Sequence, residues 1–393
     1  MSNFKLLYSG YLIAVISLFF FSFTQVDLGL TLTEWSVWQV FQKFFQQIGY
    51  FQRPFSTVWY MVTIVFLSLF YVAFLILAQK KLLSQKQIWI IIFAASGILF
   101  FSYNAFSYDL FNYIFDAKIV TYYHQNPYQH KALDYPGDPM LSFMHWTHRT
   151  YPYGPIWLIT SIPLSFLGFG FLLLTMMLFK GLAFISFLGT TYYIQKILQR
   201  FSPQNELFGM IFFALNPLVL VESLVSAHND IFMIFLSVWA INLLLDNKYY
   251  RSFLLLILSI GVKFASIFLF PIFMYKIIVQ RYIFYLAVVA MIIPVIFASF
   301  RTTYQPWYLL YVLPFAAFIA QKYFVLIPSI VISLISLLEY VPFFYLGNWD
   351  PPVPTVLFWT RITGIIVSLL VISIWWLRER LRKNYQKHAK IGK

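Results

Sequence analysis

Asp109, Asn112, Tyr113 and Asp116 recur at i, i+3, i+4 and i+7 in this 393-residue chain. Read as a helix over 109–120, that spacing puts all four on one face, with Leu110, Ile114 and Ala117 mainly on the other. Helix rise sets the two carboxylates roughly 10 Å apart. Carboxylates on one stripe suit proton transfer or the holding of a polar ligand. The competing reading is that Asp109 merely caps the helix and Asp116 is solvated.

The stretch Ser107–Pro155 around them holds four of the thirteen acidic residues and four of the six histidines. Asn126-Pro127-Tyr128 and Tyr151-Pro152-Tyr153-Gly154-Pro155 are turn chemistry, with Pro155 suited to a first helical turn. Arg149 and Tyr153 are placed either to face a ligand or to anchor at a membrane interface. His145 and His148 have the i, i+3 spacing of a metal pair but no neighbouring acid at ligand spacing.

A second constellation follows. Asn216-Pro217 and Glu222 precede Ser226-Ala227-His228-Asn229-Asp230, where Asp230 either caps the next helix or joins His228 in a polar site. Lys263 interrupts an apolar run, and ionisable residues at membrane depth usually serve function. Arg301 precedes Gln305-Pro306-Trp307-Tyr308. Together Lys263 and Arg301 are suited to neutralising a phosphate; the plainer reading of Arg301 is snorkelling. Lys180 is also intramembrane, with no clear partner in the sequence.

These residues must be positioned by membrane helices. The chain is 61% hydrophobic and only 10% charged, with mean hydropathy +0.77, whereas a soluble domain carries about 25% charged residues. Residues 1–393 read as one all-α polytopic membrane domain, a bundle of ten to twelve helices. An outer loop spans 105–154 and a basic tail spans 378–393. The net charge of +14 does not indicate nucleic acid, because the cations sit at helix ends and in the tail (Arg378, Arg380, Arg382, Lys383, Lys387, Lys390 and Lys393). Such flanks mark cytoplasmic loops and suit anionic lipids. With no cysteine, disulfides and thiolate metal sites are excluded. Residues 6–23 lack a small-x-small cleavage site and read as an uncleaved first span.

Lys80, Lys81 and Lys86, Lys196 with Arg200, Lys248 with Arg251, Lys276 with Arg281, Lys322 and the tail agree as cytoplasmic marks if two segments do not fully cross. These are 155–169, and the pair 252–262 and 264–278, which dips in and breaks near Lys263. Irregular backbone at that depth must be buried in protein or line a cavity. Ten full spans result, with both termini cytoplasmic. Ten of the thirteen acids then fall on the outer side, including Asp27, Asp138, Glu222 and Glu339. The helix at 109–120 is expected to rest on the bilayer, and 34–47 to form an amphipathic surface helix.

The pattern Ser107-x-Asp109…Tyr113…Asp116-x-Lys118…Asn126-Pro127-Tyr128…Tyr151-Pro152-x-Gly154-Pro155 resembles the first outer loop of GT-C glycosyltransferases. It is most similar to bacterial polyprenyl-phosphate-mannose-dependent mannosyltransferases. Asn216-Pro217…His228-Asn229-Asp230, the Lys263 break and Gln305-Pro306-Trp307-Tyr308 resemble further motifs of that group, in the same order. Ala117-Lys118 stands where many relatives have Gly-Arg, and there is no Asp-x-Asp, the metal-associated pattern of some relatives.

The resemblance implies an inverting transferase in the cytoplasmic membrane, with its site facing outward. It moves a hexose, expected to be mannose, from a polyprenyl-phosphate donor to a hydroxyl of a glycan, lipid or protein. By motif position Asp109 is the general base. The substrate-binding residues are Asn112, Tyr113, Asp116, Arg149, Tyr153, His228, Asp230, Lys263 and Arg301, with the two cations on the phosphate. No cofactor is required, and metal dependence is not expected. Two other classes fit the sequence less well. A lipid or solute transporter would account for the broken helix at Lys263 but calls for an internal repeat that is not seen. A non-catalytic assembly subunit would leave the Asp109–Asp116 stripe unexplained.

Overall fold

The computed structural model describes residues 2–275 and 282–391, with side chains over 5–275 and 282–381. Lys276, Arg281 and Lys393 lie outside the described residues, as do the side chains of Arg382, Lys383, Lys387 and Lys390. Regular structure among the described residues is helical, apart from one isolated antiparallel bridge, Lys131 to Thr150.

The first half runs α1 (Ser2–Phe23), α2 (Ser36–Gln46), α3 (Arg53–Gln79), α4 (Gln85–Phe100), α5 (Asp109–Thr121), α6 (Pro155–Leu167) and α7 (Leu172–Phe201). After it come α8 (Glu206–Ala214), α9 (Pro217–Leu220), α10 (Asp230–Leu245), α11 (Tyr249–Val262) and α12 (Phe270–Met274). The described remainder is α13 (Ile283–Arg301), α14 (Leu313–Ala316), α15 (Tyr323–Leu338), α16 (Val341–Leu346) and α17 (Val353–Ile391).

Among the described residues six helices are long and apolar enough to cross a membrane, and the bent pair Pro203–Ala214 and Pro217–Val225 makes a seventh if it is one span. The chain is thus an all-α multi-pass membrane protein. The expected ten complete spans exceed what helix length supports. Of those ten, the 16-residue α4, the 16-residue α10 and the segment Pro306–Ile319 fall short of the roughly 20 residues a span needs, whereas the short α6 and α11 agree with the expectation that 155–169 and 252–278 do not fully cross. Apolar runs were legible, but turns inside them cut the helices short.

Two local expectations hold closely. The helix expected at 34–47 is α2, which continues as a π-turn over Gln47–Phe51. Lys263 breaks its run with extended backbone (φ −154°, ψ 129°) between α11 and a 3-10 turn over Phe264–Leu269. The helix at 109–120 is α5, but it does not lie on a bilayer. Leu110, Phe111, Tyr113, Ile114, Phe115, Ala117 and Ile119 are all buried, so protein surrounds most of it. Its partly open residues include Asp109, Asn112 and Asp116.

Candidate active site

The start of α5 is set by residues before Asp109. Ser107 Oγ accepts a hydrogen bond from the Asp109 N–H at 3.1 Å. The Asp109 carboxylate makes no capping bond to its own helix and is free to face inward. The loop after α5 is strapped to the far end of that helix through Asp138, which pairs with the Lys118 ammonium and accepts from the Tyr123 hydroxyl at 2.7 Å. Asn126 closes its expected turn by accepting from the Tyr128 N–H.

The second wall is the segment Glu222–Asp230. The bend between α8 and α9 is set by Asn216, whose side chain accepts from the Leu218 N–H. The chain then widens into a π-turn over Val221–Val225, a form often found at functional sites. Lys180, which lacked a visible partner in the sequence, fastens this turn from α7. Its buried ammonium donates to the Leu224 carbonyl at 2.6 Å, to the Val225 carbonyl at 3.2 Å and to Ser102 Oγ at 3.2 Å. A cation is well placed against carbonyls that have no helical partner. Ala227 then takes φ +53°, costly for a residue with a Cβ and common where function fixes the backbone.

That geometry turns His228 between two carboxylates. Its Nδ1 lies 3.6 Å from Asp109 Oδ2, and its Nε2 lies 3.4 Å from Glu222 Oε2. The ring is fully buried and stacks on Trp307, with centroids 4.4 Å apart and planes 24° apart. Glu222 is also held by the Tyr340 hydroxyl, which donates to Oε1 at 2.9 Å. Tyr113 crosses from α5 to the same segment and donates to Asn229 Oδ1 at 3.3 Å.

Asp230 does not cap α10, since Asn229 holds the cap position. Its Oδ1 accepts from Lys263 Nζ at 2.7 Å, and the ammonium also lies over the rings of Tyr153 and Tyr311 at 5.9 and 5.7 Å. The break at Lys263 meets the Tyr153 turn by close backbone contact. The Gly154 N–H donates to the Val262 carbonyl at 3.1 Å, and a Cβ on Gly154 would overlap the Gly261 carbonyl.

The expected site residues therefore divide. Asp109, Tyr113, Tyr153, His228, Asp230 and Lys263 come together in one cluster. Asn112 and Asp116 follow Asp109 along its stripe. Arg149 is exposed and stacks on Trp146 at 4.3 Å, near enough to Asp109 to act on its charge. Arg301 is exposed at the end of α13 and makes no hydrogen bond or ion pair among the described residues. His145 packs on Tyr108. No group of three or more potential metal ligands converges among the described residues.

Burial raises the Asp109 carboxyl above the usual carboxylate range and Asp230 adds to this, while His228, Lys263 and Arg149 pull it back. Burial, helped by the Asp109 charge, pushes Asp116 up to about 8. Glu222 Oε2, Ser223 Oγ, Ser226 Oγ, both His228 nitrogens, Asn229 Nδ2 and Asp230 Oδ2 are buried without a hydrogen-bond partner. Leaving such a group unpaired costs about 1–3 kcal/mol, so this segment carries a concentration of polar groups that packing alone does not explain.

The profile of the alpha-(1->6)-mannopyranosyltransferase N-terminal domain matches residues 15–279. The chain belongs to this family. It is a glycosyltransferase that transfers mannose, taking a sugar donor and a glycan acceptor. No curated protein and no solved structure gives a significant match. In this mannosyltransferase the matched region contains Asp109, Asp116, Lys180, Glu222, His228, Asp230 and Lys263. Trp307, Tyr311 and Tyr340, which complete the same wall, lie beyond it. Sequence reading noted Glu222 but gave it no role, and it missed Trp307, Tyr311 and Tyr340 as site residues; only the Gln305-Pro306-Trp307-Tyr308 motif pointed towards them.

Proposed function

We propose that the chain transfers mannose from a polyprenyl-phosphate donor to a glycan hydroxyl at the extracytoplasmic face, with Asp109 as general base. The observation that carries this is the Asp109 carboxylate itself. It is 18% exposed beside a fully buried His228, at the start of a protein-enclosed helix, and burial raises its proton affinity. A base works best with a pKa near the working pH, and such catalysis contributes about 10²–10⁴-fold. A single displacement inverts the anomeric centre. If the linkage formed is the α-(1→6) bond of the family's name, the donor sugar must be β-linked to its phosphate.

Lys263 is the cation placed to meet that phosphate. Its side chain is 24% exposed, and Asp230 and the Tyr153 and Tyr311 rings hold its ammonium in place. It stabilises the charge that develops as the phosphate leaves. Asp116 and Asp230 orient sugar and acceptor, and Arg149 and Arg301 attract the anionic donor from the rim. The outward orientation is supported by the gathering of Asp27, Asp109, Asp138, Glu222 and Asp230 at one end, while the Arg200–Asp246 pair, 2.7 Å apart, sits beside Lys196 at another.

The test is to incubate purified protein in nanodiscs with polyprenyl-phosphate mannose and oligomannoside acceptors, reading products by mass spectrometry. Asp109→Asn is expected to stay folded and lose about 10²-fold or more of transfer. Near-normal transfer by that variant would remove Asp109 as the base. Transfer from a nucleotide sugar instead would overturn the donor assignment.

A further inference from the structure

We propose that His228 and Glu222 form a proton relay behind Asp109, in which His228 receives the proton taken from the acceptor and Glu222 holds the imidazolium so formed. This rests on the reading of Asp109 as the base. A histidine that binds a sugar presents a ring nitrogen to the ligand. Here both nitrogens face carboxylates instead, at 3.6 and 3.4 Å, and the side chain is fully buried.

The ring is held in this plane by Trp307. Tyr340 occupies Glu222 Oε1 and leaves Oε2 for the imidazole. Neither nitrogen has a hydrogen-bond partner at rest, and contacts of this kind tighten when substrate binds. Of Asp109, His228 and Glu222, only Asp109 has an exposed side chain, so protons enter and leave through it. The other charges nearby are the Lys263–Asp230 pair, Arg149 at the rim and Lys180 beneath the π-turn.

The steps balance as follows. The acceptor O–H bond breaks while its oxygen bonds the anomeric carbon. The bond from that carbon to the phosphate oxygen breaks, and its electron pair stays on the phosphate. The acceptor proton goes to Asp109 and passes from Oδ2 to His228 Nδ1, while the Nε2 proton remains directed at Glu222. After product release the proton returns through Asp109 to water. A buried carboxylate behind an imidazole fixes the tautomer and stabilises the cation, the role of the third member in catalytic triads.

The experiment uses the full chain in nanodiscs with polyprenyl-phosphate mannose and an oligomannoside acceptor. Single-turnover rates are measured in H2O–D2O mixtures, with KM for both substrates. Glu222→Gln keeps the shape and the acceptor for Tyr340. It and His228→Gln are expected to slow transfer about 10-fold or more, leave both KM values unchanged, and turn a curved proton inventory into a linear one. A wild-type inventory in either folded variant overturns the relay, even if the rate falls, because a packing defect does not change the number of protons in flight. If neither variant folds, Tyr340→Phe decides. A slower transfer with an altered inventory supports the relay, and an unchanged rate and inventory overturns it. Asp109→Asn is run alongside. If it is active, the base assignment itself fails; if it is inactive while Glu222→Gln behaves as wild type, the relay alone fails.

Discussion

Replacing Lys263 by Met tests whether the cation at the broken helix serves the fold, the donor, or both. Asp230 is wholly buried and Lys263 is 24% exposed. Asp230 Oδ2 already lacks a hydrogen bond, so removing the ammonium from Oδ1 leaves a buried, uncompensated carboxylate. Breaking such a pair costs about 3–5 kcal/mol, and the partial exposure of Lys263 places the expectation near the lower end. Asp230→Asn alone leaves the partly exposed ammonium solvated and costs about 1 kcal/mol. The double variant buries no charge and is expected close to Asp230→Asn, so the cycle yields about 3 kcal/mol of coupling. Unfolding in mixed micelles measures the four stabilities. Equal destabilisation of Lys263→Met and the double variant would refute the pairing argument. Donor KM separates the second role. The double variant, stable again, is still expected to bind polyprenyl-phosphate mannose about 10-fold more weakly, about 1.4 kcal/mol, and wild-type donor KM there would remove Lys263 from the phosphate site.

Other perturbations follow from the same geometry. Asp116 keeps its proton in the fold up to about pH 8 against an ordinary value of 3.8. Its contribution to stability is therefore fully present below that ordinary value and is lost as pH rises towards 8. Asp116→Asn should flatten this slope in pH-dependent unfolding while keeping most transfer at pH 7, and a loss as deep as that of Asp109→Asn would contradict a neutral Asp116. Gly154→Ala must push the Tyr153 turn off the Gly261 carbonyl, so it should raise donor KM several-fold with limited loss of fold; unchanged kinetics would show that this approach does not position Lys263. Lys180→Met leaves the Leu224 and Val225 carbonyls without their cation, at about 1–3 kcal/mol, and should lower kcat by displacing His228, read as reduced single-turnover rate in folded protein.

The features legible in the sequence are those governed by near neighbours. The start of α5 at Asp109, the turn at Asn126, the bend at Asn216 and the break at Lys263 each follow from side chains within a few positions. The convergence of Asp109, His228, Asp230 and Lys263 was reached only by adding a family resemblance to that local grammar. What stayed hidden depends on contacts far apart in the chain. Tyr340 meets Glu222 across 118 positions, and Lys180 meets Leu224 across 44. Hydropathy could not show that α5 is enclosed, because a helix in a lipid-facing protein is apolar on its outer side whether lipid or protein covers it. Helix length was overestimated for a related reason. Apolar runs continue through 3-10 and π-turns, so composition counts a span where the backbone has already bent.

Residues 15–279 carry the family match, yet they do not make a finished site. They supply Asp109, the proposed base, together with the His228 imidazole, the buried acids and the Lys263 ammonium. Left alone, the His228 ring loses the Trp307 face, Glu222 loses the Tyr340 hydroxyl, and Lys263 loses the Tyr311 ring. All three contributions come from the segment after α13 and from the junction of α15 and α16, elements that Arg361 on α17 ties together through Glu339 at 2.6 Å and the Tyr304 carbonyl at 3.0 Å. The charged groups thus come from the matched domain, while aromatic side chains packed against them come from the C-terminal segments. The proposed stabilisation of a departing phosphate depends on a local dielectric that such packing lowers. The C-terminal third is therefore better regarded as the other half of the active site than as an added membrane anchor.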